Sequence, residues 1–152
     1  MKAKLAALGL TLLLLLSGCG GKGAAPYTPS MADDLLASGA FEGSEMAPVD
    51  LDIVTILYGV GSAVITDGVC YMAANSSASA DELTILVLTD EEAAIAAEAA
   101  FHERVASQIA ACRDYCPAAI PRLEGAVVSR RGNTVLLAVG HPDLLAAYEG
   151  IG

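Results

Sequence analysis

Tryptophan is absent from this sequence, and phenylalanine occurs only twice among its 152 residues. A hydrophobic core without them must be built from aliphatic side chains, and hydrophobic residues make up 55% of the chain. A domain of this size buries roughly two-thirds of its unfolded surface when it folds as one unit. We therefore expect a single domain with an aliphatic core over residues 31–152.

Positive charge is also scarce, because 8 lysines and arginines face 18 acidic residues, for a formal net charge of −10. Lys2 and Lys4 stand in an N-terminal leader, and without them the net charge is −12. A surface of this sign repels phosphate groups, which argues against nucleic acid and anionic lipid headgroups as partners. The one basic cluster, Arg130 and Arg131, is predicted at a hairpin tip over residues 130–133. There it either meets an acidic cell-wall polymer or belongs to a solvated turn.

Residues that perform catalysis or bind metals do not form a recognisable pattern. His102 and His141 are the only two histidines, and neither has the spacing to the cysteines that a zinc site needs. The serines lack the Gly-x-Ser-x-Gly motif of a nucleophile elbow. The sequence therefore predicts no catalytic residue, no metal and no cofactor.

The N-terminus combines two lysines with an apolar run over residues 5–16 and then small residues. This order is the pattern of a secretory signal, and the run is shorter than the roughly 20 residues that span a bilayer. Leu16-Ser17-Gly18-Cys19 resembles the bacterial lipobox, in which the nucleophilic cysteine thiol accepts a diacylglyceryl group and a peptidase cuts before it. We therefore expect cleavage between Gly18 and Cys19 and a lipid on Cys19.

A lipid on Cys19 is expected to hold the protein in the cell membrane, facing outside the cytoplasm. Glycine, alanine and proline are frequent over residues 20–30, a composition typical of a flexible tether. The predicted organisation is thus a signal peptide over residues 1–18, the lipidated cysteine and tether over residues 19–30, and one domain over residues 31–152.

Hydrophobic periodicity and turn residues predict eight secondary-structure elements in the domain. The predicted helices cover residues 31–40, 50–58, 90–114 and 142–148, and the predicted strands cover residues 63–74, 82–89, 125–129 and 134–139. The longest helix separates two pairs of strands, each of which forms a hairpin. The simplest architecture is α+β, an antiparallel four-stranded sheet with the long helix and short flanking helices over one face.

Two cysteines, Cys112 and Cys116, stand four residues apart near the end of the long helix. Helical geometry places their Cα atoms about 6 Å apart, a distance that a disulfide can span. Outside the cytoplasm such a pair is often oxidised. The pair is therefore either a disulfide, two buried thiols that continue the apolar face, or a redox or metal-binding pair. Cys70, in the first predicted strand, is expected in the core.

Several short motifs in the domain form one further pattern. They are Ser79-Ala80-Asp81-Glu82, Arg104-Val105 with Gln108, Tyr115 with Pro117, and Gly132-Asn133. Together with the leader, they resemble the DUF4358 family of bacterial lipoproteins of unknown function. The resemblance covers nearly the whole domain and implies a lipoprotein, but it implies no catalytic or binding residue. The pair Cys112 and Cys116 departs from the usual pattern of the family.

These features together predict a lipid-anchored extracytoplasmic protein whose domain is a non-enzymatic interaction or ligand-binding module at the cell surface. Its expected partners are the membrane, through the lipid on Cys19, and a cell-envelope protein or a small-molecule ligand. The alternative is a thiol/disulfide redox protein or another enzyme that uses Cys112 and Cys116.

Overall fold

The structure is a computed structural model that describes residues 23–149, with side chains described as far as residue 146. The predicted signal peptide over residues 1–18, the cleavage between Gly18 and Cys19, and the lipid on Cys19 lie outside the described residues. No helix within the described part of the chain has both the length and the apolar content needed to cross a membrane.

Five helices and five strands follow one another along these residues. The helices are α1 (Met31–Ala37), α2 (Leu51–Tyr58), α3 (Glu91–Tyr115), α4 (Ile120–Glu124) and α5 (Pro142–Glu149). The strands are β1 (Met46–Pro48), β2 (Ile65–Ala73), β3 (Glu82–Leu88), β4 (Val127–Arg131) and β5 (Thr134–Val139). The predicted class, α+β with a long helix between two hairpins, is confirmed.

The sheet has five strands in the order β1-β2-β3-β5-β4, so the prediction of four strands was wrong. The additional strand, β1, pairs antiparallel with β2, and its Pro48 lies opposite Tyr71. Three residues that end in proline carry no alternating pattern, and proline is tolerated in a sheet only at its edge. This segment becomes a strand because the free edge of β2 offers it backbone partners.

Helices cover both faces of the sheet, which corrects the prediction of a single covered face. On one face, Leu83 and Ile85 of β3 belong to a core that also contains Leu35 of α1 and Leu145 of α5. The opposite face carries the core of α2, α3 and α4. The central strands β3 and β5 are apolar at nearly every position, and such runs are typical of strands that are buried on both faces. Alternate side chains therefore need a cover on each side.

The long helix α3 begins and ends where the sequence predicts. At its start, the Asp90 carboxylate accepts a hydrogen bond of 2.8 Å from the backbone N–H of Ala93, which satisfies one of the free donors of the first turn. It ends before Cys116, because the residue that precedes a proline, here Pro117, is disfavoured in helical conformation.

In the second hairpin, the first strand differs from the prediction at both of its ends. The strand β4 begins at Val127 because the short helix α4 occupies the preceding residues, and it extends through Arg131. The turn therefore consists of Gly132 and Asn133 alone. Gly132 has φ 57°, a conformation that tight hairpin turns require and that glycine adopts without strain.

The packed domain begins before residue 31, within the stretch predicted as tether. Tyr27 is 2% exposed. Its backbone N–H donates to Thr134 Oγ1 at 2.8 Å, and its hydroxyl donates to Ser129 Oγ at 2.7 Å. A buried ring that is bonded to the β4–β5 hairpin does not belong to a flexible segment, so the predicted tether can extend at most to residue 26.

Candidate binding site at the start of strand β3

Two acidic residues, Asp81 and Glu82, stand where β3 begins, and both are buried, with 2% and 3% exposure. Burying a carboxylate is costly unless it is paired and hydrogen-bonded. Each of them forms an ion pair with a different arginine.

Glu82 is bonded through both of its carboxylate oxygens. Arg104 of α3 donates from Nη2 to Oε2 at 3.0 Å and from Nε to Oε2 and Oε1 at 3.3 and 3.4 Å. The hydroxyl of Tyr58, the last residue of α2, donates to Oε1. The guanidinium carbon of Arg104 also lies 5.6 Å from the centre of the Tyr58 ring. This arrangement joins α2, α3 and β3 around one carboxylate.

A chain of polar atoms continues from Tyr58 into the core. The Tyr58 hydroxyl lies 2.7 Å from Thr84 Oγ1, and Thr84 Oγ1 lies 3.1 Å from the sulfur of Cys70 on β2. Cys70 is buried and unpaired, as predicted for a core residue. These contacts give hydrogen-bond partners to the buried polar atoms of Tyr58, Thr84 and Cys70, which come from α2, β3 and β2.

The protonation of this network follows from its burial. Burial, together with the negative charge of Glu82, raises the pKa of Tyr58 well above its usual value. Burial raises the pKa of Cys70 to about 11. For Arg104, burial favours the neutral form, but the hydrogen bonds and charge of Glu82 outweigh it and raise the pKa. At neutral pH the phenol and the thiol are therefore protonated, and a protonated thiol is a poor nucleophile.

Asp81 is bonded differently from its neighbour. Its Oδ2 accepts a hydrogen bond of 2.7 Å from Ser44 Oγ and another from Arg122 Nη1 on α4. Its Oδ1 is buried and has no hydrogen-bond partner among the described residues. A buried polar atom without a partner costs about 1–3 kcal/mol. The Asp81 carboxylate therefore keeps an unused acceptor inside the domain.

Two cavities open beside these ion pairs, and Ser79 lines both. The first, which we name the Arg122 cavity, has a volume of about 180 Å³ and is lined by Arg122, Ala118 and the loop around Ser44. The second, the Arg104 cavity, has a volume of about 90 Å³, and its wall includes Asp81, Glu82, Arg104, Gln108 and Ser76. A guanidinium group thus lines each cavity.

The cysteine pair lies close to this site. Cys112 and Cys116 form a disulfide, with Cα atoms 4.4 Å apart, at the end of α3. The next residues, through Ala119, form a single 3-10 turn that leads into α4 and contributes to the wall of the Arg122 cavity. The disulfide therefore constrains the connection between α3 and α4, the helix that carries Arg122.

Several residues singled out in the sequence meet at this site although they are distant along the chain. Ser79, Asp81, Glu82, Arg104 and Gln108 all line the Arg104 cavity. The sequence interpretation did not bring them together, and it missed three further residues of the site, namely Ser44, Tyr58 and Arg122. Two signals pointed to it: adjacent acids before an apolar strand, and an arginine on the apolar side of a long helix.

Arg130 and Arg131 do not form a basic patch, which corrects their interpretation as a cluster on a hairpin tip. Arg130 donates from Nε to Glu98 Oε2 at 3.0 Å on the α3 side of the sheet. Arg131 stacks on the Tyr27 ring on the other side, with its guanidinium carbon 4.3 Å from the ring centre. They lie in a strand, and consecutive strand residues point to opposite faces.

No group of three or more histidine, cysteine, aspartate or glutamate side chains within residues 23–149 is arranged to hold a metal ion. His102 lies on the exposed side of α3.

The comparison with known proteins gives one result. A family model described as "Domain of unknown function (DUF4358)" matches residues 40–140. No significant match was found among curated proteins or among solved structures. The matched residues include all five described strands and both ion pairs of the site. The match covers most of the chain, and the protein therefore belongs to the DUF4358 family.

Proposed function

We propose that this protein is lipid-anchored outside the cytoplasm and that its domain is a non-enzymatic interaction or ligand-binding module at the cell surface. The observation that carries the proposal is the pair of cavities at the start of β3, each lined by an arginine that is paired with a buried acid. Clefts that contain a few convergent polar groups are the usual form of small-ligand sites.

The anchoring part of the proposal rests on the sequence. The apolar leader followed by Leu16-Ser17-Gly18-Cys19 is typical of a lipidated protein. A net charge of −12 without the leader disfavours adsorption to anionic lipid, so attachment would depend on the lipid chains themselves. Such an anchor would hold the domain beside the envelope and its solutes.

The state of the polar groups favours binding over catalysis. Proton transfer is most efficient when the catalytic group has a pKa near the working pH. The pKa values of Tyr58 and Cys70 are both raised away from neutrality. Glu82 is engaged by Arg104 and Tyr58, and the sulfurs of Cys112 and Cys116 are bonded to each other. Arg104 and Arg122 each line a cavity, and a guanidinium group has more donors than its paired carboxylate uses.

The anchor is tested by membrane fractionation and intact mass. The wild-type protein should remain with the membrane and carry the mass of a diacylglyceryl group on Cys19. The Cys19→Ser variant should leave the membrane fraction. An unmodified wild-type protein, or a variant that stays on the membrane, would contradict the anchor.

The binding role is tested by blocking the two cavities. Ala118→Trp fills the Arg122 cavity and Gln108→Trp fills the Arg104 cavity, whereas Ser107→Trp places the same ring on the exposed side of α3. Cross-linking in intact cells should capture a partner or ligand with the wild type and Ser107→Trp, and at least one blocking variant should lose it. Equal capture by all four proteins would contradict a binding role for this site.

A further inference from the structure

The two edges of the sheet differ in how they are protected against pairing with a further strand. Along β2, the backbone N–H of Gly68 donates to the Asp67 carboxylate at 2.8 Å, and a bulge interrupts the register between Ile65 and Asp67. The short strand β1, which ends in Pro48, covers the far end of that edge. Bulges, prolines and short strands are the usual means by which proteins block an edge. The β2 edge is therefore poorly suited to further pairing.

The opposite edge is formed by β4, which has none of these protections over residues 127–131. The strand contains no proline, and its register with β5 is continuous along its whole length. All of its residues are half-buried, whereas every residue of β5 is buried. Val127 and Val128 pack against the two cores, one on each face of the sheet. The outer edge of β4 is therefore the part of this strand that remains open.

The hairpin turn decides which backbone groups of β4 bond to β5. Arg131 and Thr134 flank the two-residue turn, and the pair that closes such a turn is hydrogen-bonded. Hydrogen-bonded pairs alternate with non-bonded pairs along an antiparallel ladder. Ser129 and Val127 therefore also direct their N–H and C=O groups to β5.

The two residues between these positions, Val128 and Arg130, direct their N–H and C=O groups away from β5. Neither residue has a backbone hydrogen bond to a loop or turn within residues 23–149. A row of free N–H and C=O groups on an edge is a template for another strand.

The arginines of β4 do not guard this edge. Charged side chains often keep an open edge from pairing. Here, however, Arg130 donates to Glu98 on the α3 side of the sheet, and Arg131 stacks on Tyr27 on the other side. Both charges are thus held over the faces of the sheet, and the backbone of the edge stays accessible.

We propose that β4 of a second copy of this chain pairs antiparallel with this edge, about a two-fold axis beside Ser129. Val128 of each copy then lies opposite Arg130 of the other, and each such pair exchanges two N–H···O=C hydrogen bonds. Every outward N–H and C=O group of Val128 and Arg130 is used. The contact goes beyond the proposed function and does not depend on the two cavities.

The pattern of charge favours a second copy of β4 as the occupant. Like charges that lie directly opposite each other in neighbouring strands are destabilising. The two-fold register places Arg130 opposite Val128 and Arg131 opposite Val127, so no arginine faces another. Each arginine also keeps its own partner, Glu98 or Tyr27.

The position of the N-terminal chain is compatible with the same arrangement. Tyr27 belongs to the core on the face that α1 and α5 cover. The two-fold axis of an antiparallel strand pair is perpendicular to the sheet, so Tyr27 of both copies lies on the same face. Under the proposed anchoring at Cys19, both chains can therefore reach one membrane from the same side of the dimer.

The test is oxidative cross-linking of the purified full chain, kept in a mild detergent, with one introduced cysteine. The two-fold axis places Ser129 of the two copies opposite each other with Cα atoms about 4.5 Å apart, a distance that a disulfide spans. Ser129→Cys should form a covalent dimer, whereas Thr66→Cys, exposed on the β2 edge, should not. Native Cys70 is buried, and Cys112 and Cys116 are bonded to each other, so the wild type should not cross-link.

A proline on the edge blocks the contact. Val128→Pro removes an outward N–H but no bond to β5, and proline is tolerated on an edge where the N–H faces solvent. Added to Ser129→Cys, it should lower the yield of dimer at least about tenfold, because the dimer loses two hydrogen bonds. Val128→Ala shortens the side chain but keeps the N–H, and it should cross-link like Ser129→Cys alone. Similar thermal midpoints of the two Val128 variants would show that the proline variant is folded.

Three results would overturn the proposal. One is a wild-type chain that sediments as a monomer together with a Ser129→Cys variant that cross-links no better than Thr66→Cys. Another is equal dimer formation by Val128→Pro and Val128→Ala, which would place the contact elsewhere. The third is a monomeric wild type that captures a different envelope protein in cells and loses it in Val128→Pro, which would assign the edge to that protein. The cavities are tested separately by the tryptophan variants, so the proposed function can stand if the dimer fails.

Discussion

Asp81 and Glu82 are neighbours in the chain, but their carboxylates differ in how completely they are bonded. Both oxygens of Glu82 accept hydrogen bonds, from a guanidinium group and from a phenol. Only one oxygen of Asp81 does so within the described residues. The two adjacent acids are therefore compensated to different degrees, because Glu82 has donors for both oxygens whereas Asp81 leaves one buried oxygen without a donor.

The largest loss of stability is expected when the ion pair between Glu82 and Arg104 is broken. Arg104→Met keeps much of the side-chain volume but leaves Glu82 buried without a cation, which should lower the free energy of unfolding by about 3–5 kcal/mol. Urea denaturation at pH 7 measures this loss. The double variant Arg104→Met with Glu82→Met is the control, and it should recover most of the loss because the uncompensated charge is gone. A double variant as unstable as the single one would show that packing, not charge, is responsible.

Alkaline pH should also destabilise the hydrogen-bonded network that links Glu82 to Cys70 through Tyr58 and Thr84. The folded state raises the pKa of Cys70 from 9.0 to about 11, so the folded protein holds this proton more tightly than the unfolded chain. Its contribution to stability is complete below pH 9 and is lost as the pH rises through 11, by about 3 kcal/mol for a shift of this size. Urea denaturation from pH 8 to 11 measures the decline. Cys70→Ala should flatten it, whereas an unchanged slope would assign the decline to Tyr58.

The matching change on the Asp81 side should cost less. Arg122→Met removes the cation from Asp81, but Ser44 remains bonded to the same carboxylate. Because Ser44 keeps its hydrogen bond and water in the Arg122 cavity can take the place of the guanidinium, we expect a loss of about 2 kcal/mol in urea denaturation. A loss equal to that of Arg104→Met would remove the distinction between the two acids.

The smallest effect on stability is expected from the disulfide. Cys112 and Cys116 close a loop of only four residues' separation, and the loop-closure entropy of so short a loop gives at most about 2 kcal/mol. The double variant Cys112→Ser with Cys116→Ser should therefore lower the thermal midpoint by only a few degrees. Mild reduction of the wild type should reproduce the shift and leave the double variant unchanged. A large loss of stability would mean that the disulfide also fixes the position of α4 and its Arg122.

Much of the fold follows from local patterns that act over a few residues. The start of α3 at Asp90 is set by a capping side chain, and its end by Pro117. The turn of the second hairpin follows from Gly132. By contrast, β1 has no pattern of its own and forms because β2 offers it an edge. The burial of Tyr27 likewise depends on a hairpin more than 100 residues away.

The sequence by itself determined the class of the domain, the long helix and the two hairpins, because caps, turns and apolar spacing act locally. It also determined the acidic surface and the lipobox pattern. Only the tertiary structure decided that helices cover both faces of the sheet and that Asp81 and Glu82 receive different arginines. The reason is physical: a buried carboxylate is defined by the partners that folding brings to it, and here they come from Tyr58, Arg104 and Arg122, far apart in the chain.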